Sequence, residues 1–592
     1  MKLNRWAKVG TLAAIAIASV ALLGGSIIVS NSPGNFNAGL TRPVGDGDTP
    51  GGLLRLGSSA PCDSLDPAQT FDPWCAVVHR TFSRNLMSFA GKPGDQGLIV
   101  VPDLVSDLPI TNSDKTSWTF SLRPDVFWSD GSAVTSTDVK YSIQRLFDDS
   151  LQSPVALEAL CLLSTCDTGT PDYKGVYASP DEDLVSVITP DERTITFNLN
   201  RSFYEFSRLL ATPQFAPIQR ARDISLRDTD STYSSNPASN GPFILSIDQA
   251  GLQYSFTRND KWTQTSDGIR FPRVDAMSWK VFPDADKTDQ ALLSGEIDVK
   301  LNYGLAPTAR DATLAEKSQR ELIDNPEMSF VNFLVVNPAV APLDRAPCRD
   351  AVFYALDKVD LQNIRGGSAT AAIAHSLSPP TILGYNSSYN PYPSGSDETG
   401  NLRSARQSLA QCGYPDGFQL NMAYVAIGIG KDTFLSVQKS LAQVGIVVDP
   451  IEYANFAEYF TTGLGSPETM STQEIGLATT GWGPDYSSAY SFWAPLTDGR
   501  KIKPSSNLNF AELNIDELNS LLDSLETAEL AEDEARISQE IENLVMQEAV
   551  YLPYAVDRIV LYRPDVLTDV YVQIALGNQY DLVNIGKREN LQ

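Results

Sequence analysis

Histidine is almost missing from this chain: His79 and His375 are the only two in 592 residues. Zinc motifs of the HExxH type are therefore excluded, and a Ser/His/Asp triad could be built only around one of these two. Positive charge is also scarce, with 45 Lys and Arg against 72 Asp and Glu, a net charge of −27. This argues against nucleic acid as a partner, because its phosphates need a basic face, and equally disfavours adsorption of the body to anionic lipid. There is no CxxC pair and no GxSxG elbow. Gly428-Ile429-Gly430-Lys431-Asp432 lacks both the upstream glycine and the Ser/Thr of a P-loop. Acidic residues are many, but no spacing singles out two of them as an acid/base pair. No catalytic site, metal centre or cofactor is expected.

What the chain does have is apolar residues, 42% of the total with 9% aromatic, enough to build a large core. The length allows about four domains at roughly 150 residues each. At the start, Lys2, Arg5 and Lys8 precede an uncharged run from Val9 to Val29. A basic flank before an apolar run reads as an export signal, and this run is long enough to span a bilayer. Residues 1–30 are expected to be a signal peptide or a signal anchor, with the body outside the cell. Leu22 to Ser26 (LLGGS) looks like a lipobox in which Ser26 replaces the lipidated cysteine, and the one small-residue cleavage site, Phe36-Asn37-Ala38, is poor. Anchoring to the outer face of the cytoplasmic membrane and release after cleavage both remain open. Residues 31–50, rich in Gly, Pro, Asn and Ser, read as a flexible tether. Within them Asp46 and Asp48 lack the glutamate that would close a calcium loop.

Six cysteines suit an exported protein, where thiols pair. Cys62, Cys75, Cys161, Cys166, Cys348 and Cys412 fall into three groups along the chain. The pairing 62–75, 161–166 and 348–412 is the most local of the possible connectivities, which the sequence alone leaves open.

The body reads as mixed α/β without internal repeats. Leu53 to Gly57 is a strand, and Trp118 to Leu122 (WTFSL) alternates as a half-buried strand does. Thr137-Asp138 is expected to cap a helix carrying Val139, Ile143 and Leu146. Asp191 to Leu199 reads as a turn then a strand. Residues 286–293 read as a helix ending at Gly295, before a strand at 297–299. Residues 401–410 form a helix, and Gly413 to Gly417 a dense turn. A strand at 418–425, a helix at 433–444 and a strand at 446–451 make a βαβ unit, hence a parallel strand pair. Two stripes, Ile515/Leu518/Leu521/Leu522/Leu525 and Ile537/Ile541/Leu544/Val545, are expected to face the core.

Nine blocks occur in an order that resembles the family 5 extracytoplasmic solute-binding proteins of ABC importers, the oligopeptide and dipeptide binders. They are Gly51 to Arg55 with Ser64-Leu65-Asp66-Pro67; Val101 to Leu104; Trp118 to Leu146, the most distinctive; Gly241-Pro242-Phe243; Asn259 to Trp262; Ser294 to Val299 (SGEIDV); Pro342 to Leu356; Cys412 to Phe418 (CGYPDGF); and Gly481 to Phe492 (GWGPDYSSAYSF). Cys348 paired with Cys412 resembles a variant seen in actinobacterial members. The resemblance implies a two-lobed, periplasmic-binding-protein-like α/β fold with an extra subdomain in lobe I. Lobe I would comprise 51–90, 198–328 and 556–592, the subdomain 91–197, and lobe II 329–555. It implies a monomer that traps a short peptide by hinge closure and hands it to membrane permease subunits with cytoplasmic ATPases.

The same resemblance suggests the ligand contacts. A peptide's α-ammonium, buried between lobes, needs an anion, and the Gly-Trp-x-x-Asp motif places Asp485 there, with Gly481, Trp482 and Tyr486 around it. The plainer reading makes Asp485 a solvated loop acid after Pro484. Phe71 and Trp74 match a segment that approaches the ligand in lobe I, and both suit a core equally. Asn332 is expected on the first strand of lobe II. The motif departs from the family after Tyr486, where Ser487-Ser488-Ala489-Tyr490 replaces the acidic-proline continuation, and at Thr479, where some oligopeptide binders carry arginine. Alternatives in the same fold are a peptide-sensing receptor and a binder of an oligosaccharide or other small molecule. For the latter, Trp482, Tyr486, Tyr490, Phe492 and Trp493 would offer stacking surfaces.

Overall fold

The computed structural model describes residues 51–151, 154–166 and 171–588. The segments expected to be an export signal and a tether, and the Asp46/Asp48 pair, lie outside them. The chain builds two lobes, each on its own sheet. In the first lobe a five-stranded sheet runs in the order Val299–Lys300, Leu53–Ser58, Ala276–Val281, Gln253–Arg258, Phe243–Gln249. Leu53–Ser58 is parallel to both of its neighbours, and the remaining pairs are antiparallel. Leu54 and Leu56 point into the core, where Trp279 stacks on Tyr254 at 4.3 Å.

A four-stranded antiparallel sheet, Ile110–Thr111, Ser117–Ser121, Thr194–Asn198 and Val187–Ile188, forms a separate layer beside this lobe. Its central strand is the WTFSL segment, with Trp118 and Phe120 buried and Ser117 and Thr119 less so, as the alternation requires. The helix that follows is Ser136–Arg145, and its cap lies two residues before the expected Thr137. Thr135 is the N-cap: its hydroxyl accepts from the Asp138 N–H at 3.2 Å, and the Asp138 carboxylate accepts from the Thr135 N–H at 3.0 Å. This capping box needs an acid three residues after the hydroxyl, which Thr135 has and Thr137, followed by Lys140, does not.

The second lobe is built on six strands in the order Ala371–Ile373, Tyr551–Arg558, Glu327–Val336, Ile475–Trp482, Gln419–Val425, Val447–Tyr453. Gln419–Val425, the helix Gly430–Ala442 and Val447–Tyr453 form the expected βαβ unit, and the two strands are parallel. The helices Asp516–Glu526 and Ala531–Glu548 bury Leu518, Leu522, Leu525, Ile537, Ile541 and Val545, as their stripes indicate. The three disulfides are Cys62–Cys75, Cys161–Cys166 and Cys348–Cys412.

Two segments link the lobes side by side. Ile323–Asp324 pairs with Leu561–Tyr562 on the first lobe's side, and Glu327–Val336 pairs with Tyr551–Arg558 in the second lobe's sheet. The crossings therefore fall at 325–326 and 559–560. Charges bracket them: Arg558 meets Glu327 at 2.6 Å, and Arg365 grips Asp557 with two bonds of 2.5 and 2.6 Å. Arg563 meets Asp324 at 3.2 Å. A pair of short antiparallel crossings is the geometry of a hinge.

A candidate ligand cleft between the lobes

The Gly-Trp-x-x-Asp motif leaves the sheet at the end of Ile475–Trp482, beside the hinge strand Glu327–Val336. Gly481 lies opposite Asn332 and Trp482 opposite Val331. Glycine is required at 481 by close approach: a Cβ there would stand 2.2 Å from the Phe330 ring and 2.9 Å from the Val331 carbonyl. Gly483 is under the same constraint from the Ser329 carbonyl, at 2.7 Å. Gly481→Ala should displace Phe330 and cost about 1–3 kcal/mol by overpacking. Urea unfolding measures this, and an unchanged midpoint would show that Phe330 moves aside freely.

After the glycines the chain turns. Trp482 is half-buried and its indole N–H donates to the Phe492 carbonyl at 3.0 Å. The Ser491 hydroxyl accepts from the Asp485 N–H at 3.0 Å, and Ser488 caps the helix Ala489–Thr497. Asp485 stands exposed at the tip of this turn. Tyr486 does not: it is 6% exposed, and its hydroxyl donates to Glu205 across the lobe interface at 3.1 Å. Tyr490, Phe492 and Trp493 are also buried, so with Tyr486 they belong to the core and offer no stacking face to a sugar. Asn332 is buried in the sheet with its side-chain N–H₂ directed at the Ala555 carbonyl at 3.4 Å. The Thr479 carbonyl accepts from the Tyr459 hydroxyl at 2.7 Å.

On the first lobe, the loop closed by Cys62–Cys75 is organised around Asp63. Its carboxylate accepts from the Thr70 hydroxyl at 3.1 Å, the Asp72 N–H at 2.8 Å and the Phe71 N–H. This arrangement leaves Phe71 62% exposed. Trp74, by contrast, is 4% exposed and packs edge-on against Trp279 at 6.0 Å, so it underlies the loop instead of lining the cleft. Asp63, Asp72 and Cys75 come within ligand distance of one another, but the Cys75 sulfur is bonded to Cys62 and the Asp63 carboxylate is spent on the loop. Tyr303 is a second exposed aromatic of this lobe, held at φ +62° beside Asn302 at φ +44°. Gly304 follows because a Cβ would meet the crossing segment, 2.4 Å from the Val560 carbonyl.

A cavity of about 450 Å³ opens between the lobes next to this turn. Leu98, Ile99, Lys115, Tyr204, Glu205 and Arg208 line one side, and Ile382, Leu383, Ser487, Ser488, Glu529 and Glu534 the other. None of the residues the motif reading singles out lines it, although Ser487 directly follows Tyr486. Glu205, Arg208 and Glu534 were beyond sequence reasoning, since no spacing links charges so far apart in the chain. A larger cavity, about 620 Å³, lies among Lys140, Tyr141, Tyr177, Asp183 and Arg220, all on the first lobe's side. Both histidines are held in the neutral form by their surroundings. Burial lowers the pKa of His79, and burial together with Lys358 brings His375 down to about 4.

Relatives share this architecture. Residues 100–504 match the family description "Bacterial extracellular solute-binding proteins, family 5 Middle". The solved structure of "Clavulanic acid biosynthesis oligopeptide binding protein 2" is 36% identical, superposes with a TM-score of 0.84, and covers 94% of this chain and 99% of its own. The "Probable D,D-dipeptide-binding periplasmic protein DdpA" of Escherichia coli (strain K12) is 25% identical over 525 residues, 86% of this chain and 89% of that protein. "Heme-binding protein A" of Haemophilus influenzae is 26% identical over 474 residues, 77% of this chain and 79% of that protein. These relatives carry names of binding proteins, and a family match over residues 100–504 covers most of this chain. The chain belongs to the family 5 bacterial extracellular solute-binding proteins.

Proposed function

We propose that this protein captures short peptides between its lobes outside the cytoplasmic membrane and delivers them to an ABC permease, acting as a monomer. The observation that carries this reading is the turn at 483–488. It presents an exposed carboxylate, Asp485, while its next residues reach the other lobe through Tyr486 and Ser488. A peptide seated between the lobes with its ammonium against Asp485 would itself cover that carboxylate from bulk water, where the pair is worth more. Phe71 supplies an exposed apolar contact from the facing loop. Gly481, Trp482 and Asn332 support the turn from beneath. We place lobe I at 51–90, 198–328 and 556–592, its subdomain at 91–197 and lobe II at 329–555, behind an N-terminal signal or anchor. The strand pairing moves the two lobe boundaries to the crossings at 325–326 and 559–560, because 327–328 and 556–558 lie in the second lobe's sheet. The names of the oligopeptide- and dipeptide-binding relatives favour peptides over the haem bound by another relative.

Calorimetry with a random tripeptide library tests the reading. Binding is expected, and N-acetylation of the library should weaken it by about 10- to 100-fold, the worth of a charge-assisted hydrogen bond. Asp485→Ala should lose the same factor and become indifferent to acetylation. Equal binding of free and acetylated peptides by the wild type would dismiss Asp485 as the ammonium's partner.

A further inference from the structure

Apart from the two hinge crossings, any contact between the lobes must be made and broken as they move. Among the described residues, a dense polar contact of this kind is centred on Glu205. Its carboxylate accepts from the Ser488 hydroxyl at 2.6 and 2.5 Å and from the Tyr486 hydroxyl at 3.1 Å, both on the other lobe. One turn on, Arg208 stands 3.7 Å from Glu205 and reaches across to Glu534 at 3.2 Å and to the Ser487 carbonyl at 2.8 Å. Glu534 also accepts from the Ala489 N–H at 3.3 Å. The side chains of Glu205 and Glu534 are only 9% and 10% exposed. Two carboxylates thus share one guanidinium at the largely buried edge of the cavity between the lobes. The other charges along this cavity are Asp95, Lys115 and Glu529, and Lys115 is already directed to Glu529 at 3.8 Å.

We propose that Glu205, Arg208 and Glu534 form a proton-operated clasp that holds the lobes closed over the ligand in mildly acidic surroundings and slackens towards neutral pH. The inference rests on the reading of the cleft as a trap that closes about its hinge. The three residues act as positioning residues, since they set the closed geometry from beside the ligand turn. The electrostatics agree with the geometry. Burial pushes Glu205 up to about 7; Arg208 opposes this and Glu534 adds to it. With the lobes apart, Glu205 is solvated and titrates near the ordinary glutamate value of about 4.3. The closed form therefore holds a proton that the open form lacks between these two values. Closure is strongest below the lower value, weakens by up to about tenfold per pH unit across the window, and levels off above about 7. Glu205→Gln keeps an acceptor for Ser488 and Tyr486 and removes the titration.

Small-angle X-ray scattering without peptide, at pH 5.0, 6.0 and 7.5, reads closure directly, and calorimetry with the tripeptide library reads its effect on affinity. The wild type is expected to be more compact at pH 5.0 and to bind at least about tenfold tighter there than at pH 7.5. Glu205→Gln should be compact and pH-independent in both measurements. Glu534→Gln should flatten the profile in part, because it removes the repulsion that raises Glu205, and it serves if Glu205→Gln does not fold. A wild-type profile flat in pH, or one unchanged by both substitutions, overturns the clasp. Compaction that depends on pH and on Glu205, without binding of any peptide, would uphold the clasp and refute the peptide reading. Peptide binding with flat profiles would do the reverse.

Discussion

Replacing Arg270 by methionine is expected to destabilise the first lobe by about 3–5 kcal/mol, the cost of stripping one partner from a buried ion network. Arg84, Asp103, Asp267 and Arg270 all have side chains no more than 2% exposed. Arg270 grips Asp103 with bonds of 3.0 and 2.8 Å and Asp267 with one of 3.1 Å, while Arg84 holds Asp103 at 2.7 Å. The remaining capacity is filled from the backbone: Arg84 donates to the Ser266 carbonyl at 2.7 Å and Arg270 to the Arg80 carbonyl at 3.0 Å. Removing Arg270 leaves two carboxylates facing one guanidinium without water. Adding Asp267→Asn restores neutrality and keeps an oxygen for the Ile269 N–H, which Asp267 now accepts at 3.0 Å. The double variant should therefore recover much of the loss. Urea unfolding of the two variants and the wild type decides it, and a single variant within about 1 kcal/mol of the wild type would mean that the network is not held by its charges.

The same network predicts an acid-labile lobe. Burial opposes ionisation of Asp267, but Arg270 and Arg84 outweigh it and hold the carboxyl well below the usual aspartate range. A depressed pKa contributes stability above the unfolded value of about 3.9, and that stability is lost as pH falls below it. The single variant should accordingly lose stability less steeply in acid than the wild type.

The difference between what could and could not be read from sequence follows from the range of the interactions. Alternation in Trp118–Leu122, the stripe in 515–525 and the βαβ pattern of 418–451 are local, and the structure reproduces them because each segment must bury one face. The cap at Thr135 was misplaced by two residues because Thr-Asp at 137–138 looks like a cap until the box partner is counted. The two lobes were legible only through the order of family blocks. Trp74 and the aromatic residues at 486–493 show the limit of composition: a ring in a loop suits a core and a ligand wall equally until burial is known. The Glu205–Arg208–Glu534 cluster joins residues of opposite lobes, and nothing in their spacing announces it. The same holds for Tyr303, whose exposure depends on a left-handed backbone that a tyrosine rarely adopts.

Opening Cys348–Cys412 by the double alanine variant is expected to cost about 4 kcal/mol, against about 3 for Cys62–Cys75 and about 2 for Cys161–Cys166. The order follows from the separations of 64, 13 and 5 residues, because a longer loop frees more of the unfolded chain when its crosslink is cut. Cys348 and Cys412 are buried, one in the helix Ala346–Ala355 and the other at the end of Leu402–Cys412. The Arg345 guanidinium, which donates to the Cys412 carbonyl at 2.9 Å, keeps the two helices in contact after the bond is gone. The native packing therefore survives and the loss lies mainly in the unfolded state. Denaturant unfolding of the three double variants gives the comparison, and equal losses for the separations of 64 and 5 would rule out loop entropy as the cause. Affinity should follow a different order from stability. Cys62–Cys75 closes the loop that displays Phe71, the apolar ligand contact proposed above, whereas Cys348–Cys412 joins two helices of the second lobe that carry no proposed ligand contact. Cutting the shorter crosslink should loosen a face of the cleft and weaken peptide binding, while cutting the longer one should leave affinity intact in the protein that remains folded.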